Sequence, residues 1–310
     1  MKTNNLILGG GVSGLICLHY IKDSVLFEAG KDLAKDFLND DFPKYIHNTK
    51  LTRELCDEIG VVPKLKKFKV GILFDGGIVD FFDLDMDTLM RIDIYNAYCD
   101  KKYGKLVKNK MNGFLTRNYS EEYIDNKKEI ISKILDIYRE RIYLEYRANE
   151  INLDKKQIWF NEDLFMDRVG KIEYENLIST IPINMFMKKA RLDYKAKNKT
   201  LKLFILKCEK HKLSDYNFIY VADKNYDFHR IVINDDSIIF ERNENQETCI
   251  DCLRFINENE IEFGDYNFKE FTFPICKAPE IKGVEFVGRF STGDYSQKLD
   301  EVIKDARQIG

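Results

Sequence analysis

Asn4-Asn5-Leu6-Ile7-Leu8-Gly9-Gly10-Gly11-Val12-Ser13-Gly14 is the stretch whose reading decides the fold. Leu6-Ile7-Leu8 is a short apolar run and reads as the end of a buried strand. The glycine-rich turn follows at once. Leu15-Ile16-Cys17-Leu18-His19-Tyr20-Ile21 then reads as a helix, and Ser24-Val25-Leu26-Phe27 as a second strand ending on Glu28. Strand, glycine-rich turn, helix, strand and acid, in that order, form the dinucleotide-binding fingerprint in its required context.

Each part has a physical task. Gly9 permits the tight turn out of the strand, and Gly11, with no Cβ, leaves room for a pyrophosphate at the backbone. Gly14 lets the helix pack closely on the sheet. Val12 and Ser13 open the helix, whose N-terminus offers free N–H groups and the positive end of a dipole to a diphosphate. Glu28, beside Ala29, stands about twenty positions on, where an acid accepts hydrogen bonds from ribose hydroxyls. An acid there repels a 2′-phosphate, so NADP is disfavoured.

The chain has 310 residues, 44% of them hydrophobic, enough for one large domain or two modest ones. A net charge of -3 argues against a general polyanion binder. No apolar run approaches a membrane span, and residues 1–8 lack a signal peptide's apolar stretch, so the expectation is a cytoplasmic protein. Seven cysteines in no framework spacing read as reduced thiols. Cys249-Ile250-Asp251-Cys252 is the one pair. A redox or zinc role wants a helix N-terminus or a second ligand pair, the sequence displays neither, and the pair reads as incidental.

Downstream, Lys31–Asp41 reads as a loop with a short helix. Leu51–Ile59 is an amphipathic helix, and Phe68–Phe74 pairs with Ile78–Phe81 through the turn Asp75-Gly76-Gly77. Asp87–Met111 reads as a helix that ends in Lys101, Lys102, Lys105, Lys108 and Lys110. That cluster is first a solvated face and second a seat for a substrate phosphate, with nucleic acid left open. Ser120–Arg141 reads as a long helix capped by Ser120. From Ile142 the texture turns to strands: Ile142–Tyr146, a small antiparallel excursion to Val169, Tyr174–Pro182, and a second antiparallel sheet from Leu201 to Phe240.

Near the C-terminus, Val284-Glu285-Phe286-Val287-Gly288-Arg289 repeats the opening's logic. A strand ends on a glycine that lets backbone approach a ligand, and a helix follows. Arg289 can reach a diphosphate or a flavin. Two such sites, one at each end of the chain, suit a long dinucleotide and favour FAD over NAD.

Ile7–Leu15 resembles the FAD-binding opening of the amine oxidase and protoporphyrinogen oxidase superfamily, and within it the chain is most similar to UDP-galactopyranose mutases. Pro43–Thr49, with His47, is similar to the mutase segment that places a His beside the flavin. Leu177–Pro182 resembles a strand near the cofactor, and Phe228-His229-Arg230-Ile231 a segment that carries an active-site Arg. Phe273-Pro274-Ile275, Phe286–Arg289 and Asp300 resemble the C-terminal flavin segment. Phe42-Pro43-Lys44 stands where those mutases have Gly-Pro-His, and their paired tyrosines have no clear counterpart beyond Tyr295. The resemblance implies an α/β fold: a Rossmann-like, GR2-type FAD-binding domain from 1–40, 142–190 and 280–310, with an inserted α+β substrate domain from 41–141 and 191–279. It implies FAD chemistry on a small substrate, with His47 and Arg230 beside the ring and Gly288, Arg289 and Asp300 on the cofactor. Flavin-dependent oxidation leads, ahead of a redox-neutral mutase on a phosphorylated or nucleobase-containing substrate and a non-catalytic flavin-binding module.

Overall fold

The computed structural model describes residues 1–38, 45–81, 97–98, 121–162, 169–195, 197–209, 211–243, 248–274, 277–292 and 297–310. The expected helix over 87–111 apart from 97–98, with its lysine cluster, and Phe42-Pro43-Lys44 and Tyr295 lie outside them. The chain forms two compact units: 1–64, 124–198 and 273–310 make the first, 65–123 and 199–272 the second. Among the described residues no helix is long and apolar enough to cross a membrane.

The first unit is built on a seven-stranded sheet. Its first strand, Lys2–Leu8, lies between two parallel neighbours, Ser24–Phe27 and Val169–Ser179, with Leu8 opposite Phe27 on one side and Ser179 on the other. Ile142–Tyr143 extends the sheet beyond Phe27, and Val284–Phe286 pairs in parallel with Leu177–Ser179. A central parallel strand has both faces covered, so Leu6, Ile7 and Leu8 are all buried. Strand alternation sends Ile7 to the helical face with Leu15, Leu18, Leu26 and Ile303, while Leu6 and Leu8 join Phe27, Phe160, Leu177 and Phe186 on the other.

This unit is wider than the expected cofactor domain, because the helices Lys50–Ile59 and Lys127–Tyr138 belong to it. They bring Leu55, Ile59, Ile131 and Ile134 onto the cluster that buries the opening helix Val12–Tyr20. Arg307 of the closing helix Leu299–Ile309 donates to Glu54 at 2.7 Å and to Glu58 at 2.9 Å, tying the closing helix to Lys50–Ile59. Three local readings also change. The helix placed at Ser120–Arg141 starts only at Lys127, because Glu122–Ile124 is a strand. Asn126 fixes the start: its side chain accepts from Lys64 N–H and donates to the Val62 carbonyl. The strand placed at Ile142–Tyr146 breaks at Glu145, whose φ of 65° turns the chain into Tyr146–Asn152. The segments to Val169 and from Tyr174 are one strand, Val169–Ser179, which ends a meander with Tyr146–Asn152 and Gln157–Glu162.

The second unit is a seven-stranded mixed sheet, ordered Phe263–Pro274, Asn198–Cys208, Ser237–Asn243, Arg230–Ile233, Phe218–Val221, Val70–Phe74 and Gly77–Asp80. Asn198–Cys208, Ser237–Asn243, Arg230–Ile233 and Phe218–Val221 pair antiparallel as expected, and the hairpin at Val70–Asp80 joins by a parallel pairing of Val70 with Phe218. A helix the sequence reading did not contain, Ile250–Glu258, covers one face through Cys252, Phe255 and Ile256, packed with Phe228 and Phe240. Its N-cap residue is Cys249.

Candidate functional site

The site of the first unit starts at the turn after Leu8. Gly9 has φ +105°, a region that side chains disfavour, and a Cβ there would stand 2.6 Å from Thr180 Oγ1. Thr180 backs the turn by donating to the carbonyls of Leu8 and Gly9 at 2.9 and 3.0 Å. A Cβ at Gly14 would overlap the Gly9 carbonyl oxygen, which shows how tightly the opening helix rests on the turn. Gly11 is the opposite case: a Cβ there meets nothing within 4 Å. It is the helix N-cap, with no side chain to cap the helix and no acid in the first turn. The N–H end of a nine-residue helix therefore faces open space, an arrangement suited to an anion.

Glu28 sits at the rim of that space, half-buried, with exposed Ala29 beside it. Its two oxygens accept from Gly10 N–H at 2.5 Å and Gly30 N–H at 2.7 Å. A carboxylate has about four acceptor positions, so two remain for hydroxyl donors. Gly10 is a residue the sequence reading passed over. A Cβ there would overlap Leu33, and the Gly10 amide holds Glu28 to the turn. The run of three glycines was its only visible signal.

The C-terminal Gly-Arg arrives at the same place. Gly288 has φ +91°, and a Cβ on it would overlap Ser13 Oγ in the first turn of the opening helix. Val287 N–H donates to the Ser179 carbonyl at 3.0 Å, fixing that approach from the adjoining strand. Arg289 follows directly, half-buried, with Nη2 donating to the Gln297 carbonyl at 3.2 Å just before the closing helix. Gly11, Val12, Ser13, Gly14, Gly288 and Arg289 thus meet around the two ends of the chain.

His47 is carried by a second convergence. Thr49 and Thr52 form a capping box for the helix Lys50–Ile59, and Thr52 Oγ1 donates to the His47 carbonyl at 2.6 Å. Thr49 Oγ1 donates to Asp300 Oδ1 at 3.0 Å, so the closing helix holds the His47 loop. In the structure Asp300 is a tie for that loop; burial raises its pKa, and the bond from Thr49 opposes the rise. Burial, with the nearby Lys298 cation, pushes the His47 imidazole down to about 4 and keeps it neutral at physiological pH. Lys298, the N-cap of the closing helix, is itself lowered by burial. Thr49 and Lys298 are further residues without a signal in the sequence, since each acts through a contact far along the chain.

Arg230 belongs to the second unit. Its guanidinium closes on both oxygens of Glu241, with Nε to Oε2 at 2.8 Å, and lies 5.1 Å from the Phe218 ring centre. Glu241 is fully buried, and His229 Nε2 stands 3.3 Å from it. Burial alone would raise the Glu241 pKa, but Arg230 and His229 together hold it well below the usual carboxylate range.

Solved structures share this fold over nearly the whole chain. Reduced UDP-galactopyranose mutase matches with a TM-score of 0.68 at 13% identity, over 100% of this chain and 93% of the mutase. A CLA-producing fatty acid isomerase from P. acnes gives 0.65 at 11%, over 99% and 97% of the two chains. Wild-type putrescine oxidase bound to putrescine gives 0.64 at 9%, over 99% and 98%. No family model and no curated protein matches the sequence. At such identities the likeness establishes the fold, which is the mixed α/β, Rossmann-type fold of the amine-oxidase and UDP-galactopyranose-mutase flavoproteins.

Proposed function

We propose that the first unit binds FAD and that the chain is a flavin-dependent oxidoreductase acting on a small substrate. The observation that carries this reading is the meeting of Gly288-Arg289 with the first turn of the opening helix, across from the open space at Gly11. A cradle that a side chain would fill, at a helix N-terminus, fits a diphosphate. The two free acceptor positions of Glu28 take the adenosine ribose, and the amides of Val12 and Ser13 face the diphosphate. Gly288 and Arg289 serve the flavin side. FAD, when bound, supplies the electron-accepting chemistry. His47, neutral and held by Thr49 and Asp300, orients or polarises the substrate without adding charge.

The test is the visible spectrum of the purified protein after FAD addition, followed by anaerobic mixing with amines and with sugar nucleotides. Bleaching of the flavin by an amine supports oxidation. The second reading is a redox-neutral mutase, favoured by the likeness to UDP-galactopyranose mutase. Under that reading, turnover of a sugar nucleotide appears only after prior reduction with dithionite. A flavin spectrum with neither response leaves a non-catalytic flavin-binding module. Absence of any flavin binding refutes all three.

A further inference from the structure

The pair Cys249-Ile250-Asp251-Cys252 lacks in sequence the one feature that a redox dithiol wants, and the fold provides it. Cys249 is the N-cap of the nine-residue helix Ile250–Glu258. Cys252 stands three residues on, at 0% exposure, while Cys249 is partly exposed between the exposed Thr248 and Ile250. Helix geometry puts the Cα atoms of residues three apart about 5 Å from each other, within the ~4.4–6.8 Å Cα separation that a disulfide spans. The N-cap and third helical positions are also the two whose side chains each turn toward the other's backbone N–H in a capping box. A second observation is independent of the helix. Arg242, buried in the neighbouring strand Ser237–Asn243, donates from Nη1 to Cys249 Sγ at 2.8 Å. Its other amino group reaches the Thr248 carbonyl and Asp227 Oδ2, the latter at 3.5 Å, so the guanidinium is held at the sulfur.

We propose that Cys249 and Cys252 form a dithiol that exchanges with low-molecular-weight disulfides, with Cys249 as the attacking thiol and Cys252 as the resolving one. In the first step the Cys249 sulfur bonds to one sulfur of the small disulfide, and the other leaves as a thiol. In the second, the Cys252 sulfur attacks Cys249, closes the intramolecular disulfide and releases the second small thiol. Two protein thiols are oxidised, one small disulfide is reduced to two thiols, and the two protein protons go with them. Arg242 and the helix N-terminus favour negative charge on Cys249 sulfur as it attacks and as it leaves on reduction. Burial, joined by the Asp227 carboxylate, works the other way and raises the pKa of both thiols, and neither is in a disulfide in the structure. The pair thus belongs to the reduced protein and closes under an oxidising load.

The test uses the full chain and oxidised glutathione, followed by alkylation under denaturing conditions and peptide mass mapping. Fully buried Cys17 and Cys56 are internal references. The expected result is joint loss of alkylation at 249 and 252, with a mass deficit of two hydrogens in that peptide, reversed by dithiothreitol. Cys252→Ser should retain one glutathione at residue 249. Cys249→Ser should leave Cys252 as unreactive as Cys17. The proposal is overturned if wild-type 249 and 252 stay as fully alkylated as Cys17 and Cys56. It is equally overturned if glutathione remains on residue 249 of the wild type without passing to Cys252. The wild-type mapping decides the matter even if a variant misfolds.

Discussion

Replacing Gly11 by Val and Gly14 by Ala, one at a time, separates ligand binding from folding within a single turn. At Gly11 the new side chain enters space that is empty of protein. The folding cost is then that of an unsuitable N-cap, about 1 kcal/mol, and a melting shift of roughly 1.5 °C for a chain of 310 residues. The same side chain stands where the diphosphate must come. Losing two charge-assisted hydrogen bonds at about 1.5–3 kcal/mol each removes ~3–6 kcal/mol of binding, a weakening on the order of 100- to 10,000-fold. At Gly14 the Cβ would overlap the Gly9 carbonyl oxygen. The obstructing oxygen is backbone and the Cβ is fixed to its own backbone, so neither can swing aside and the helix must shift off the sheet, an overpacking cost of about 1–3 kcal/mol or more. Melting curves without cofactor, and calorimetric titration of FAD, read the two quantities. Gly11→Val should melt near wild type and hold FAD weakly or not at all, whereas Gly14→Ala should melt clearly lower. If Gly11→Val holds FAD as tightly as wild type, the diphosphate does not lie at the helix N-terminus, and the reasoning fails.

Three other perturbations follow from the same geometry. Glu28→Ala should weaken FAD by about 1.5–3 kcal/mol in a titration, and should also lower the melting temperature, because Gly10 and Gly30 lose their acceptor; unchanged FAD affinity would place the ribose elsewhere. Arg289→Ala should weaken FAD and make the flavin potential more negative, since a cation near the ring favours the more anionic reduced form, while ADP affinity hardly changes; equal losses for both ligands would make Arg289 purely structural. His47, at about 4 in the fold against about 6.5 unfolded, binds its proton more readily in the unfolded chain. Its stabilising contribution is full above pH 6.5 and is lost as the pH falls from there to 4, by at most about 3 kcal/mol. His47→Gln should flatten the stability profile in that window during urea titrations, and parallel profiles would show that the imidazole is not buried neutral.

Sequence alone determined what depends on near neighbours. The parallel strand, glycine turn, helix, second strand and Glu28 span fewer than thirty residues, and each is dictated by a side chain or by the lack of one within a few positions. The hairpin around Asp75-Gly76-Gly77 and the helix Lys50–Ile59 were legible for the same reason. Tertiary structure decided what depends on partners far along the chain. Glu122–Ile124 became a strand and the following helix began seven residues late. Local propensity did not reveal that Asn126 would hold Lys64 and Val62. Ile250–Glu258 became a helix because Cys252, Phe255 and Ile256 could be buried against Phe228 and Phe240, and that burial made an N-cap of Cys249. The bond from Thr49 to Asp300 and the seating of Gly288 on Ser13 join residues more than 200 positions apart. Hydrophobic periodicity and turn chemistry act over a few residues, so they set the elements. Which elements meet, and hence which side chains share a site, is fixed only when long-range burial outweighs the entropy of closing the loops between them.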